Sequence, residues 1–181
     1  MALKATVCKA QLQVSDMDRG YYASHALTLA QHPSETIERL MVRLLAFALF
    51  ADARLQFGRG VSSEDEPDLW QRSLDDRIEH WIELGQPEES RIRRACGRSE
   101  VVTVIGYAPR GFDPWWGKQG GALSSLRPLQ VLCLSPGATE SLAGLHGRSM
   151  DLQCLVQDGV VQLIDSQQTV EITPRWLQRR G

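Results

Sequence analysis

The sequence has little of what would assign it quickly. Its 181 residues include four cysteines, Cys8, Cys96, Cys133 and Cys154, with no CxxC pair and no histidine at ligand spacing from any of them. That argues against zinc. A disulfide framework is not expected either, because a chain of this length can build a self-sufficient core and its first ten residues lack the apolar stretch of a secretory signal. The four thiols read as small buried hydrophobes in a reducing compartment. The longest apolar run, Leu44–Ala51, is far short of the roughly 20 residues that cross a bilayer, so a soluble, cytoplasmic protein with no membrane partner is expected. Neither sign of charge is in excess: 20 Lys+Arg face 22 Asp+Glu, for a net charge of -2. This balance excludes a polybasic nucleic-acid coat and an acidic solvating tail. No GxGxxG, Walker or nucleophile-elbow pattern occurs.

What is present is globular. With 43% hydrophobic and 23% charged residues, the composition predicts a folded chain, and its length a single domain over residues 1–181. From Leu3 to Val14 polarity alternates, but the apolar phase switches from Leu3, Ala5 and Val7 to Ala10, Leu12 and Val14, which predicts a strand with a bulge near Cys8 or Lys9. The turn residues Ser15–Gly20 lead to a second alternating run in which Tyr21, Ala23, His25, Leu27 and Leu29 share a face, giving a long hairpin. Ile37, Leu40, Met41, Leu44, Leu45 and Ala48 follow helical spacing and predict a helix whose apolar stripe packs on a sheet. A loop through Gly58, Gly60, Ser62 and Ser63 runs into the acidic stretch Glu64–Asp68. Strands are expected over 68–71 and 77–85, joined by a turn at Ser73–Asp76. A helix follows from Pro87 to Gly97, then a buried strand over Val101–Tyr107, a short helix at Asp113–Trp116, a strand over Leu129–Leu134 and a helix over Thr139–His146. Leu152–Val156 and Val160–Ile164 flank Asp158-Gly159, a strong hairpin signal. Together these predict an α/β fold with a mixed central sheet flanked by helices.

The near-neutral charge is unevenly distributed. Residues 61–100 hold 11 of the 22 acidic residues but 6 of the 20 basic ones. A solvated loop and the first turn of a helix account for Glu64, Asp65, Glu66, Glu88 and Glu89, but Glu83 lies near the end of a strand with Trp81 and Gly85 on its face. A carboxylate there must be paired, metal-bound or at the sheet's edge. A structural ion pair and a functional site both remain open on spacing alone. Pro67-Asp68, followed fifteen residues after the aspartate by Glu83-Leu84-Gly85-Gln86, is similar to the P-D…(D/E)-x-K signature of restriction-endonuclease-like nucleases. In those enzymes two carboxylates hold Mg²⁺ and a lysine serves the attacking water.

The stretches HPSETIERLMVRLLAFALFA, SSEDEPDLWQ and IEHWIELGQPEESRIRRACGR, with the opening MALKATVCKAQLQVSDMDRGYYASHALTLA, resemble the YaeQ family of bacterial proteins. The similarity covers nearly the whole chain, including Trp115-Trp116 and the Asp158-Gly159 hairpin. It implies a variant of the restriction-endonuclease fold with an added hairpin, in a family whose activity is not established. Carried over by position, it implies Asp68 and Glu83 as metal ligands for Mg²⁺, Glu38 as a supporting carboxylate, and Asp68, Glu83 and Gln86 as the catalytic group. The departure is at the lysine position, which holds Gly85. Gln86 next to it can position a water, but it is neither a base nor a cation. Lys4, Lys9 or an arginine of the following helix would have to replace the lysine in space.

The remaining candidates are weaker. His25, His32, His80 and His146 are scattered, and His80 shares the apolar face of its strand. Arg91, Arg93, Arg94 and Arg98 form the best basic patch, either touching phosphates or matching a helix end with Glu88 and Glu89. Trp70, Trp81, Trp115 and Trp116 read as core or cleft wall. Two functions from different classes follow: a Mg²⁺-dependent nuclease acting on DNA or RNA, or a catalytically inactive nuclease-fold protein working through a protein partner. The lack of positive field argues against tight nucleic-acid binding. A small phosphate compound is a third substrate class, for which neutrality is no handicap.

Overall fold

The computed structural model describes residues 4–59 and 64–180, so the expectations for Leu3, Gly60, Ser62 and Ser63 lie outside the described residues. In chain order the elements are β1 (Thr6–Asp16), β2 (Tyr21–Gln31), α1 (Ile37–Leu49), β3 (Leu55–Phe57), β4 (Leu69–Arg72), β5 (Ile78–Leu84), α2 (Glu89–Arg98) and β6 (Ser99–Gly106). They continue with α3 (Pro109–Leu123), β7 (Leu129–Cys133), α4 (Ala138–Ala143), β8 (Ser149–Gln157), β9 (Val160–Ile164), β10 (Thr169–Ile172) and β11 (Arg175–Gln178).

Alternation builds the first hairpin. β1 and β2 pair antiparallel from Thr6 opposite Gln31 to Asp16 opposite Tyr21 without a register shift, so the expected bulge at Cys8 or Lys9 does not form. Cys8, Ala10, Leu12 and Val14 make one continuous buried row, while Val7 points outward and is 52% exposed. The polarity change in the sequence came from taking Val7 as an inward residue. At the other end of the chain, Asp158 and Gly159 adopt φ of 53° and 76°, the left-handed pair that a two-residue hairpin turn needs.

These two hairpins form a sheet of their own, in which β1 lies parallel to β8 and the order is β10-β9-β8-β1-β2. A second, six-stranded sheet has the order β11-β7-β6-β5-β4-β3, with β5, β6 and β7 parallel at its centre. The expectation of one central sheet with an added hairpin is therefore corrected to two mixed sheets flanked by helices. The physical reason lies in α1. From Leu40 to Ala48 every residue of this helix is buried, so it has no solvent face and must be enclosed on all sides. One core cluster runs from Cys8, Leu12, Leu29 and Leu152 of the first sheet, through Met41, Leu44 and Leu45 of α1, to Leu69, Ile82 and Ile105 of the second. The other face of the second sheet is covered by α2 and α3, where Ile92, Ala95, Phe112 and Leu123 pack on Trp81, Val102, Val104 and Val131.

Other differences are local. α3 spans 15 residues rather than the short helix expected at Asp113–Trp116, and it tolerates Pro114 inside. α2 begins two residues beyond Pro87, and α4 ends at Ala143 rather than His146. β3, β10 and β11, each of three or four residues, are too short to show a period.

Candidate functional site

The parallel strands β5 and β6 end side by side. Leu84 pairs with Ile105, and the Gly85 N–H extends the ladder by donating to the Ile105 carbonyl at 2.9 Å. The carboxyl ends of parallel strands are where open α/β sheets bind ligands; here the chain leaves β5 and β6 toward the same face, through α2 and α3. Gly85 makes its turn at a φ of 92°, and the Tyr107 ring lies against the space where a side chain at Gly85 would stand.

Asp68 and Glu83 meet at this end, both buried. Antiparallel pairing sets Leu69 opposite Ile82, which brings Asp68 level with the end of β5, where its Oδ2 accepts the Leu84 N–H at 2.8 Å. Glu83 Oε1 accepts from Trp81 Nε1 at 2.9 Å, two residues back on the same face. Burial raises the Glu83 pKa, and the nearby Asp68 charge raises it further, against the opposing pull of Arg91 and Trp81. Two carboxylates in one partly dry site need cations.

Arginines supply them. Arg91 of α2 donates from Nε to Glu83 Oε1 at 2.7 Å, and its two terminal nitrogens hold the Glu64 and Glu66 carbonyls at 2.7 and 2.9 Å. Arg39 of α1 donates to Asp68 Oδ1 at 2.7 Å and to Glu35 Oε2 at 2.9 Å. Glu35 is gripped in turn by Arg43, from Nε at 2.9 Å and from Nη2 at 2.6 Å. The result is two neighbouring ion-pair sets, Arg43–Glu35–Arg39–Asp68 from α1 and Glu83–Arg91 from α2, which meet where the two carboxylates repel each other.

The sequence singled out part of this set. Asp68 and Glu83 come together. Glu38, half-buried in the first turn of α1, makes no hydrogen bond to either. Gln86 is exposed, and its amide lies over Gly111 in the first turn of α3 rather than on a carboxylate. An arginine of the following helix does reach the site, and it is Arg91; Arg93 instead pairs with Glu89 at 2.8 Å, as a dipole-matched helix would. Glu35, Arg39 and Arg43 were not singled out. Their signal was present as charges at i, i+4 and i+8, two of them falling inside the apolar helix pattern. His80 stands apart, edge-on to Phe50 and 2.7 Å from Thr103 Oγ1.

Asp68 and Glu83 have the hard oxygen donors that Mg²⁺ prefers. Among the described residues no group of three His, Cys, Asp or Glu side chains is placed to hold a metal ion, so Glu38 does not complete a three-carboxylate cage. The fit is that of a two-carboxylate site whose counter-charge is now arginine. All four thiols are free, and burial pushes Cys96 up to about 11 and Cys154 up to about 12, which leaves those two unreactive.

The family model described as YaeQ protein matches residues 1–174. The chain belongs to the YaeQ family. It is 45% identical to the YaeQ protein of Salmonella typhi and 42% identical to that of Escherichia coli K12, each over 172 residues and 95% of both chains. The crystal structure of YaeQ from Xanthomonas axonopodis pv. citri superposes with a TM-score of 0.94 at 56% identity, covering 96% of this chain and 98% of that one. YaeQ from Pseudomonas syringae gives 0.91 at 38% identity, covering 98% of each. These YaeQ relatives are bacterial, and the two-sheet architecture is shared with solved YaeQ structures. No helix among the described residues is long and apolar enough to cross a membrane.

Proposed function

We propose that this YaeQ fold is a variant of the restriction-endonuclease fold, and that the Asp68–Glu83 site carries out Mg²⁺-dependent phosphodiester hydrolysis in a cytoplasmic setting. The observation that carries the reading is the meeting of Asp68 and Glu83, both buried, at the carboxyl ends of parallel strands, each joined to a guanidinium. A divalent ion held by the two carboxylates would supply Lewis-acid polarisation of a phosphoryl oxygen and a bound water of lowered pKa. The chain's own groups have separate tasks. The Leu84 N–H and Trp81 Nε1 orient the carboxylates. Arg39 and Arg91 stand in for the missing lysine as cations, with planar donors suited to phosphate oxygens. They cannot act as bases, so Tyr107 beside Gly85 is left to position water, joined by Gln86 only if its amide leaves its place over Gly111.

A second reading is favoured by the clamping of Arg39 between Glu35 and Asp68, which is also what a purely structural ion-pair network looks like. The chain would then be a nuclease fold without chemistry, acting through a protein partner. Calorimetric titration with Mg²⁺ or Mn²⁺ separates the two, with cleavage assays on single-stranded, duplex and branched nucleic acids. The nuclease reading expects saturable heat in the wild type, its loss in Glu83→Ala, and metal-dependent cleavage lost in Asp68→Asn. Equal, negligible heats and no cleavage would leave the second reading standing; metal binding without cleavage at high enzyme concentration would reduce the cleft to a binding site.

A further inference from the structure

Of the four strands at the sheet edges, β3, β10 and β11 have three, four and four residues, whereas β2 has 11. A long edge is a template for another strand, and folded proteins guard such edges with charge, proline or bulges. Apart from Arg43 of α1 at its Ala30 end, β2 has none of these guards. Its sequence YYASHALTLAQ contains no Asp, Glu, Lys, Arg or Pro, and its ladder to β1 has no bulge.

Register shows which groups lie along that edge. The Lys9 N–H donates to the Arg148 carbonyl and the Met17 N–H to the Val156 carbonyl, both on the β8 side. Odd-numbered residues of β1 therefore turn their backbone polar groups to β8, and even-numbered ones turn theirs to β2. Since Cys8 stands opposite Leu29 and Leu12 opposite His25, the odd-numbered residues of β2 complete that ladder. Tyr22, Ser24, Ala26, Thr28 and Ala30 are left with N–H and C=O directed outward. The Ala30 carbonyl agrees, since it accepts from Arg43 Nη2 at 2.9 Å. Among the described residues no other hydrogen bond caps this row. The side chains of the same five residues lie on the solvent face, and Tyr22 is 64% exposed.

We propose that β2 pairs antiparallel with β2 of a second copy of this chain, about a two-fold axis at Ala26, joining the two five-stranded sheets into one. About that centre Ala26 meets its own counterpart and Ser24 meets Thr28 as hydrogen-bonded pairs, while Tyr22 meets Ala30, whose carbonyl Arg43 already holds and whose N–H alone stays open to the partner strand. On the other face His25 meets Leu27 and Ala23 meets Leu29. A hydroxyl stands opposite a hydroxyl at Ser24 and Thr28, and the large Tyr22 ring lies over a small alanine. No like charges oppose each other along the seam. Every facing pair from Tyr22 to Ala30 is uncharged and Ser24 faces Thr28, so the strand is compatible with its own two-fold copy, and a second chain supplies that copy.

Sedimentation velocity from micromolar to near-millimolar protein tests the pairing. Ala26→Lys and Ala26→Glu each set like charges opposite one another across the axis, and Ala26→Pro removes an outward N–H without taking a ladder bond from β1. Ala26 is exposed, so the Lys and Glu variants keep their circular dichroism spectra and Tm, and the Pro variant, whose ring fixes φ, is compared only where its spectrum is unchanged. The wild type is expected to shift from monomer to dimer across the series. Each variant should self-associate more than tenfold more weakly, and an equimolar mixture of Ala26→Lys and Ala26→Glu should recover the dimer mass. A wild type monomeric at every concentration overturns the proposal and would assign the edge to a strand from another protein. A dimer indifferent to all three substitutions overturns it as well.

Discussion

At the residue scale, the buried polar groups decide how this protein responds to pH. His80 lies in a row with Thr103 and Gln130 across β5, β6 and β7, its Nε2 2.7 Å from the Thr103 hydroxyl that Gln130 also reaches at 2.8 Å. Burial, aided by the charges of Arg19 and Arg180, pushes the imidazolium down to about 4. The unfolded chain takes up this proton near pH 6.5, whereas the native state refuses it until about 4, so the unfolded state binds more protons in between. Stability is therefore full above pH 6.5 and falls as the pH drops through that window, by about 3 kcal/mol in all. Urea midpoints measured between pH 7 and 4 should show the loss, and a His80→Asn variant, though less stable at neutral pH, should lack that part of the slope. Glu83 works in the opposite sense. Its raised pKa, set first by burial and then by Asp68, makes stability fall as pH rises from the ordinary glutamate range to the native value, because the unfolded chain releases that proton first. Neither direction is readable from residue identity, since each depends on what the fold packs around the group.

At the element scale, close backbone approach positions the first carboxylate. The Gly58 N–H donates to the Asp68 carbonyl at 2.9 Å, and a Cβ on Gly58 would overlap the Pro67 carbonyl oxygen. Gly58→Ala should therefore push Pro67-Asp68 away, cost about 1–3 kcal/mol through overpacking and lower Tm by several degrees. Gly97, inside α2 with open space around its Cβ position, should behave oppositely: Gly97→Ala should stabilise by about 0.5–1 kcal/mol through reduced unfolded-state entropy. Thermal melts of the two variants side by side read both signs. The sequence marked Gly58 only as a loop residue, because the Pro67 carbonyl it would meet lies nine residues further along the chain. It marked α1 correctly as a helix, with Thr36 accepting the Arg39 N–H at 3.1 Å as its N-cap, yet periodicity could not tell a one-sided stripe from a helix enclosed all round.

At the scale of the whole molecule, the two sheets share α1 and the core around it, so neither half has a complete core alone. All five tryptophans, Trp70, Trp81, Trp115, Trp116 and Trp176, belong to the six-stranded sheet or to α3, whereas circular dichroism reports both sheets. Urea unfolding followed by tryptophan fluorescence and by far-ultraviolet circular dichroism should give coincident transitions if residues 1–181 fold as one domain. A fluorescence midpoint displaced from the dichroism midpoint would show two. Local order was written in the sequence: the two hairpins, α1, the Glu83 strand and the buried strand after it follow from alternation, helical spacing and turn residues, because those signals act over a few neighbours. The even charge that excluded whole classes of protein was also there, together with its acidic excess around Asp68 and Glu83. Only the tertiary structure decided that the hairpins form a second sheet, that α1 lies between the two, and that Arg39 and Arg91 reach the two carboxylates. Those outcomes depend on contacts between residues far apart in the chain, and neither period nor spacing carries that information.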